Sequence, residues 1–204
     1  MPTILNIQSS PNLFSSSSRA VSKAFVDRYL AEHPGSNVID LDLAVTPPPH
    51  FSPSHLRAFF TPPDTHEPAN SAALAASDAY IDQMLGADVL VLGTPMHNFG
   101  IASTMKSWID NILRVDKTFR YTETGPVGLV PNRKVIIAVG SGGYYSDGPF
   151  KGFEHAANYL SHILSFIGLI DITVLRAEGQ TMGPEAAANG LGAGIAAAQQ
   201  AALA

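Results

Sequence analysis

Six serines fall within ten positions between a predicted strand and a predicted helix. The strand is predicted over Thr3–Gln8 and the helix over Ser17–Glu32, and the serines are Ser9, Ser10, Ser15, Ser16, Ser17 and Ser18. The first turn of a helix has backbone N–H groups without intrahelical partners, and it carries the positive end of the helix dipole. With added hydroxyl donors, residues 9–19, called the serine turn below, are predicted to bind a phosphate. The alternative is an ordinary helix cap, because serine is common at N-caps.

Motifs that would make this phosphate part of a larger nucleotide are missing from the chain. No G-x-G-x-x-G follows the first strand, and neither G-x-x-x-x-G-K-[ST] nor G-x-S-x-G occurs. Their absence argues against a dinucleotide-binding Rossmann site, a nucleotide triphosphatase and an α/β-hydrolase. The remaining ligand is one that presents a monophosphate to neutral donors.

Residues 93–101 follow the most apolar predicted strand and carry side chains suited to a flat polar ring. Met96 and Phe99 can flank such a ring, and the Asn98 amide can donate and accept hydrogen bonds at its edge. His97 by itself is better explained as a packing residue. For the segment as a whole, ring binding is favoured over a purely structural loop.

Residues 140–149, called the glycine loop below, follow the next predicted strand. The run Gly140-Ser141-Gly142-Gly143 lets backbone N–H groups approach a ligand closely, and Tyr144 and Tyr145 can cover a planar system. A flexible turn would also explain the glycines. The position of the loop at a strand end favours binding, because ligands of parallel α/β sheets lie beyond the carboxyl ends of the strands.

Strands and helices alternate along the chain and must position these three segments. Continuous apolar runs such as Val89-Leu90-Val91-Leu92 are typical of strands covered on both faces. Strands are predicted over residues 3–8, 37–41, 88–93, 134–140 and 170–176, and helices over residues 17–32, 70–85, 103–114 and 153–167, with a last helix from Pro184. The alternation predicts an α/β protein with a doubly wound parallel sheet, in one domain spanning residues 1–204.

Three further features concern packing. Residues 42–68 are proline-rich and predicted as a long loop, which in a compact domain is functional, disordered or part of an interface. The apolar stripe around Trp108 is predicted to lie in the core or in an interface rather than at a cofactor. Gly190, Gly192 and Gly194 are expected to weaken the last helix locally.

The composition excludes several classes of function. The charged residues make up 14% of the 204 residues, and the formal net charge is −5 without a basic stripe, which argues against nucleic acid and anionic membranes as partners. The chain has no cysteine, so disulfides and cysteine metal sites are excluded, and the seven histidines show no spacing typical of a metal site. No signal peptide or membrane-spanning run is visible, and we expect a cytoplasmic protein.

Several stretches in order resemble the flavodoxin-like, FMN-dependent NADH:quinone oxidoreductases, also called azoreductases. They are Pro95-Met96-His97-Asn98-Phe99, Met105-Lys106-Ser107-Trp108-Ile109-Asp110, Thr118-Phe119-Arg120-Tyr121-Thr122-Glu123, Gly125-Pro126 with Gly128-Leu129-Val130, Phe166-Ile167-Gly168 and Ala177-Glu178-Gly179. The resemblance covers nearly the whole chain. It implies a flavodoxin-like, five-stranded sheet of order 2-1-3-4-5, with helices on both faces and FMN as the bound cofactor.

The resemblance also implies roles for individual residues. The phosphate of FMN would be held by Ser10, Ser16, Ser17 and Ser18, the isoalloxazine ring by Met96, His97, Asn98 and Phe99, and its pyrimidine edge by Gly140, Ser141, Gly142 and Gly143. The substrate pocket would be shaped by Phe119, Tyr144 and Phe60, across the interface of a homodimer. Two positions depart from many relatives, because His97 stands where they carry tyrosine and Ser141 where they carry arginine.

The implied activity is a ping-pong transfer of two electrons from NADH or NADPH to quinones and azo compounds. It needs no catalytic side chain, because the flavin carries out the chemistry, and Asp147 and Glu178 are therefore given no acid–base role. The alternative from another class is a non-enzymatic electron carrier of the flavodoxin type. Residues 42–68 and 119–131 argue against the carrier, because they suggest a covered substrate pocket and a dimer.

Overall fold

Five parallel strands form the central sheet of the computed structural model, which describes residues 1–61, 65 and 68–203. In spatial order the strands are β2 (Asn37–Asp42), β1 (Thr3–Gln8), β3 (Val89–Pro95), β6 (Lys134–Gly140) and β7 (Asp171–Ala177). A separate antiparallel hairpin contains β4 (Phe119–Thr122) and β5 (Gly125–Gly128). With the hairpin set aside, the predicted parallel sheet of order 2-1-3-4-5 is confirmed.

The helices alternate with the strands of the sheet. They are α1 (Ser17–Glu32), α2 (Pro53–Phe60), α3 (Pro68–Gly86), α4 (Ser103–Ile112), α5 (Ala156–Phe166) and α6 (Pro184–Ala201). Gly183 caps α6 and Pro184 opens it, as the sequence predicts. None of the helices in the described part of the chain is long and apolar enough to cross a bilayer.

Helix α5 begins three residues later than predicted. Residues Lys151–Phe153 form a separate 3₁₀ turn, and the buried carboxylate of Glu154 then accepts hydrogen bonds from the backbone N–H groups of Ala156 and Ala157, at 3.0 and 2.8 Å. A carboxylate at this place satisfies free donors of the first turn and complements the helix dipole. Glu154 therefore fixes the start of α5.

Two apolar layers enclose the sheet. Helices α1 and α6 cover one face, where Ile4, Phe25 and Ile136 are fully buried. Helices α3, α4 and α5 cover the other face, where Trp108 is fully buried in the larger cluster. The predicted place of the Trp108 stripe in the core is confirmed.

Two glycines of α6 have a packing role that the sequence pattern did not show. A Cβ at Gly190 would overlap the carbonyl oxygen of Glu178, and a Cβ at Gly194 would lie 2.8 Å from the carbonyl oxygen of Arg176. Helix α6 can therefore lie directly against the backbone at the end of β7. This close approach explains glycine at positions that otherwise favour better helix formers.

The prediction of a loop over residues 42–68 is wrong at Pro53–Phe60, which form α2. Ser52 caps this helix, because its hydroxyl accepts a hydrogen bond from His55 N at 3.3 Å and lies 2.8 Å from His55 Nδ1. A capping box usually carries Glu or Gln where this chain has histidine, so the pattern did not indicate a helix. Residues 62–64, 66 and 67 lie outside the described residues.

Candidate functional site

The serine turn, residues 93–101 and the glycine loop meet at one edge of the sheet, beyond the carboxyl ends of β1, β3 and β6. Ser9 N donates to the carbonyl oxygen of Gly93 at 2.9 Å, and Met96 N donates to that of Gly140 at 2.7 Å. Backbone hydrogen bonds therefore join the three segments that the sequence singles out. This edge is also where ligands bind in doubly wound sheets.

The serine turn is held by its own side chains. The Asn12 Oδ1 oxygen accepts hydrogen bonds from the backbone N–H groups of Phe14 and Ser15, at 3.2 and 3.0 Å, and Asn12 Nδ2 donates to Ser15 Oγ. Asn12 N donates to Ser10 Oγ at 3.3 Å, and Ser10 is buried. These local bonds fix the path between β1 and α1, as expected of asparagine and serine in turns.

The first turn of α1 gathers neutral donors. Ser16 is the N-cap, its hydroxyl accepts a hydrogen bond from Arg19 N at 3.4 Å, and it lies 3.1 Å from Ser18 Oγ. Ser17 and Ser18 occupy the first helical positions, where backbone N–H groups have no carbonyl within the helix. Hydroxyls and free N–H groups at a helix start suit the phosphate of FMN.

Arg19 is the third residue of α1, and its side chain holds the serine turn together. Its guanidinium donates to both carboxylate oxygens of Asp42, at 2.7 and 2.8 Å, and to the carbonyl oxygen of Ser10, at 2.7 Å. The hydrogen bond from Arg19 lowers the pKa of Asp42. We call Arg19, Asp42 and Ser10 the arginine clamp. The sequence analysis missed it, because these residues are distant along the chain.

Residues 97–100, which the sequence analysis assigns to ring binding, form a tight turn. His97 and Gly100 exchange two backbone hydrogen bonds, at 2.9 and 3.0 Å, and Asn98 and Phe99 have positive φ angles of 49° and 68°. This is the geometry of a type I′ turn, which asparagine and glycine prefer and which strains an aromatic residue. Backbone strain of this kind is concentrated at ligand-binding sites.

The same turn exposes its side chains. His97, Asn98 and Phe99 are all exposed, whereas Met96 is half-buried against the core. A cavity of about 610 Å³ adjoins the turn and is lined by His97, Asn98, Lys106, His155 and Tyr159, among others. The turn therefore presents polar and aromatic side chains to an open space large enough for a ring system.

Gly140 lies where the serine turn and the glycine loop touch. A Cβ at Gly140 would overlap Ser17 Oγ and lie 3.1 Å from Ser18 N, while a Cβ at Gly142 would lie 2.8 Å from Thr181 Oγ1. The glycines therefore make room for neighbouring protein segments. Residues 140–143 are buried or half-buried and hydrogen-bonded, which is not typical of a merely flexible turn.

Ser141 is a buried residue of the glycine loop, and it adds no charge to the site. Its hydroxyl donates to the carbonyl oxygen of Gly143 at 2.9 Å. Its backbone N–H donates to Ala177 at 3.0 Å. The residue thus shapes the loop from within.

The three residues predicted to shape the substrate pocket differ in exposure. Phe119 is buried and packs on Phe166, with ring centroids 4.9 Å apart. Phe60, the last residue of α2, is 71% exposed, and Tyr144 is about half exposed. Only Phe60 and Tyr144 are free to contact a ligand with most of the ring, and the substrate-pocket role of all three stays a prediction.

Comparisons with known proteins agree with this geometry. A sequence profile described as a flavodoxin-like fold matches residues 2–202. The FMN-dependent NADH:quinone oxidoreductase of Herminiimonas arsenicoxydans is 43% identical over 91% of each chain. The crystal structure of an azoreductase from Bacillus anthracis superposes with a TM-score of 0.91, at 30% identity over 99% of each chain.

A second solved structure includes the cofactor. It is the FMN-dependent NADH-azoreductase of Bacillus anthracis in complex with FMN, which covers 99% of this chain with a TM-score of 0.87 and 27% identity. The matches extend over the whole sheet and over all three segments at its edge. This chain therefore belongs to the flavodoxin-like family of FMN-dependent NADH:quinone oxidoreductases.

Proposed function

We propose that this chain binds FMN and transfers two electrons from NADH or NADPH to quinones and azo compounds. The observation that carries the proposal is the packing at Gly140. This residue lies against Ser17 and Ser18, which offer neutral donors, and its carbonyl oxygen accepts a hydrogen bond from Met96 N. One ligand with a monophosphate at one end and a flat ring at the other suits this arrangement. The named activities of the relatives support the same conclusion.

The residues of this chain would bind and orient FMN. Ser10, Ser16, Ser17 and Ser18 would hold the phosphate through hydroxyl and backbone donors. The turn of residues 97–100 and the glycine loop would hold the ring between them. When bound, FMN supplies the two-electron redox chemistry. Asn98 and backbone N–H groups can stabilise negative charge at the ring edge without transferring a proton.

The open space beside the turn supports a ping-pong order. His97 and Asn98 are exposed and line this space, where the nicotinamide donor and the acceptor would bind in turn. A single shared space requires the first product to leave before the second substrate enters. The expected kinetic result is a set of parallel lines in double-reciprocal plots with varied NADH and quinone.

Homodimer formation is part of the proposal. Large apolar side chains are exposed on the surface, namely Phe60, Tyr121, Val127, Phe150 and Phe153, and Phe153 packs against Phe99. Apolar surface of this kind marks an interaction site, and a second copy of the chain would cover it. Light scattering after size exclusion should give twice the chain mass of 21.5 kDa, and a monomer at micromolar concentration would contradict this part.

The activity is tested by purification followed by release and identification of any chromophore. We expect one FMN per chain and NADH oxidation coupled to reduction of a quinone. Bound FMN without turnover would instead favour an electron carrier. Colourless protein that cannot be reconstituted with FMN would contradict the whole proposal.

A further inference from the structure

Glu178 accepts three hydrogen bonds from the glycine loop. Its Oε1 oxygen accepts from the backbone N–H groups of Tyr145 and Ser146, at 2.7 and 2.8 Å, and its Oε2 oxygen accepts from Ser146 Oγ at 2.5 Å. The carboxylate thus binds two consecutive backbone donors and a hydroxyl of one turn. Hydrogen bonds to an ionised acceptor are among the stronger ones in proteins.

The residues after Glu178 bind the same loop through their backbone. Gly179 N donates to Gly143 O at 3.1 Å, Gln180 N to Ser141 O at 3.0 Å and Thr181 N to Gly142 O at 2.9 Å. Residues 178–181 therefore support the glycine loop from its start to Ser146.

Gly179 makes room for Tyr144. It has a positive φ of 74°, and a Cβ there would lie 2.7 Å from Tyr144 Oη. The Tyr144 side chain consequently lies over the backbone of Gly179 while remaining about half exposed. Glu178 fixes the backbone of the turn, and Gly179 accommodates the aromatic side chain beside it.

Tyr145 connects this turn with the ring-side turn after β3. Its ring meets Phe99 edge to face, with centroids 6.0 Å apart, and Phe99 also packs against Phe153 at 5.1 Å. The Phe99 carbonyl accepts a hydrogen bond from His155 N at 3.0 Å. The position of Tyr145 therefore affects Phe99, which has a strained backbone and an exposed ring.

Glu178 is not neutralised by a neighbouring cation. Among the described residues no ion pair joins the Glu178 carboxylate to a cation, and its hydrogen bonds come from Tyr145 and Ser146. The donors that surround the carboxylate are neutral groups of the turn itself. Its role can therefore be separated from its charge, because glutamine offers the same oxygen to Tyr145 N and Ser146 N.

We propose that Glu178 is a positioning residue: it holds the turn of Tyr144, Tyr145 and Ser146 against Phe99, and thereby positions residues 97–100 beside the cavity where donor and acceptor would bind. The inference rests on the proposed function. Glu178 acts through the turn and through the contact of Tyr145 with Phe99. It takes no part in proton transfer.

The test compares Glu178→Ala with Glu178→Gln in the FMN-loaded enzyme. In the alanine variant we expect the KM for NADH and for quinone to rise about tenfold, since the loss of the hydrogen bonds that hold the turn corresponds to a factor of that order. We expect kcat to change much less, and the absorption band of bound FMN to shift toward that of free FMN. Glu178→Gln should restore both readouts. The control is Glu185→Ala, which removes the same charge from an exposed residue of α6.

A structural role alone would lower the melting temperature and leave KM and the spectrum unchanged, and that result would overturn the inference. Equal damage in the glutamine and alanine variants would overturn it as well, because charge would then be the cause.

If Glu178→Ala does not fold, Ser146→Ala decides, since it removes only the hydroxyl bond. A raised KM in that variant supports positioning, and an unchanged KM contradicts it. Wild-type protein that binds no FMN contradicts the proposed function, whereas active wild type with unaffected variants contradicts this inference alone.

Discussion

The proposed phosphate end and the proposed ring end of the site are built in different ways. At the phosphate end, Asn12, Ser16 and Ser18 make bonds within a few residues of themselves, and Arg19 adds one connection to Asp42. At the ring end, the glycine loop depends on partners elsewhere in the chain, such as Glu178, and the turn of residues 97–100 adds to its own two bonds a hydrogen bond from His155 N to the Phe99 carbonyl oxygen. A locally closed turn can anchor a cofactor, while loops held by tertiary contacts can adjust to different substrates.

The contrast implies that damage to the two ends should be separable. Changes in the serine turn should lower FMN affinity and leave the KM of the loaded enzyme nearly unchanged. Changes on the ring side should raise KM and leave FMN bound. The variants below are ordered from the largest expected effect to the smallest.

The double substitution Ser16→Ala and Ser18→Ala should have the largest effect. Each lost bond to the phosphate would cost about 1.5–3 kcal/mol, so FMN affinity should fall by roughly 10² or more. Loss of the Ser16 cap would add about 1 kcal/mol of helix destabilisation. Fluorescence titration with FMN measures the effect, and Ser36→Ala, outside the site, is the control. Unchanged affinity would show that the phosphate lies elsewhere.

Gly140→Ala should disturb both ends, because a Cβ would displace Ser17 Oγ and press on Ser18 N. Overpacking of this kind costs about 1–3 kcal/mol, so FMN affinity should fall and KM should rise together. The control is Gly152→Ala, where nothing lies within 4 Å of the added Cβ. A Gly140→Ala variant that behaves like Gly152→Ala would show that the two ends are not joined at Gly140.

Phe99→Gly should act on the ring end alone. Glycine relieves the left-handed strain by about 1 kcal/mol, which offsets the lost aromatic contacts of similar size, so the melting temperature should change little. The KM for quinone should still rise several-fold, because the exposed ring is gone. Steady-state kinetics and thermal melting together check this outcome. An unchanged KM would remove Phe99 from the site.

The smallest effect concerns pH at the arginine clamp. The hydrogen bond from Arg19 lowers the pKa of Asp42 in the folded chain. The stabilisation of the folded chain by this bond is therefore complete above the pKa of Asp42 in the unfolded chain, about 3.9. It is lost as the pH falls through the lower pKa of Asp42 in the folded chain. FMN retention should weaken in that acidic range, and Asp42→Asn should remove this part of the pH dependence. Equal pH profiles of the two proteins would show that the clamp does not support the turn.

The fold could be predicted from local patterns with few errors. Buried strands such as Val89–Pro95 are nearly continuous apolar runs, and Gly183 with Pro184 marks the start of α6. Helix α2 was not predicted, because its capping box has His55 where Glu or Gln is usual. In addition, apolar residues do not recur at helical spacing through residues 42–68. The start of α5 was missed because Glu154 caps it from outside the apolar pattern.

The meeting of the three segments at one edge of the sheet was predictable, but their supporting contacts were not. Serines before a helix and glycines after a strand have local physical meaning, so both segments could be identified. Arg19 with Asp42, and Glu178 with Tyr145, are pairs separated by 23 and 33 positions. Their proximity follows only from the order of strands in the sheet. Single-sequence patterns contain no information on such pairs.

The central claim is that the serine turn binds the phosphate of FMN. Titration of the cofactor-free chain with FMN and with riboflavin, which lacks the phosphate, tests it most directly. The account predicts 1:1 binding of FMN and an affinity for riboflavin lower by roughly 10³ or more, because several charge-assisted bonds of about 1.5–3 kcal/mol each are lost. Equal affinities for the two flavins would contradict the account.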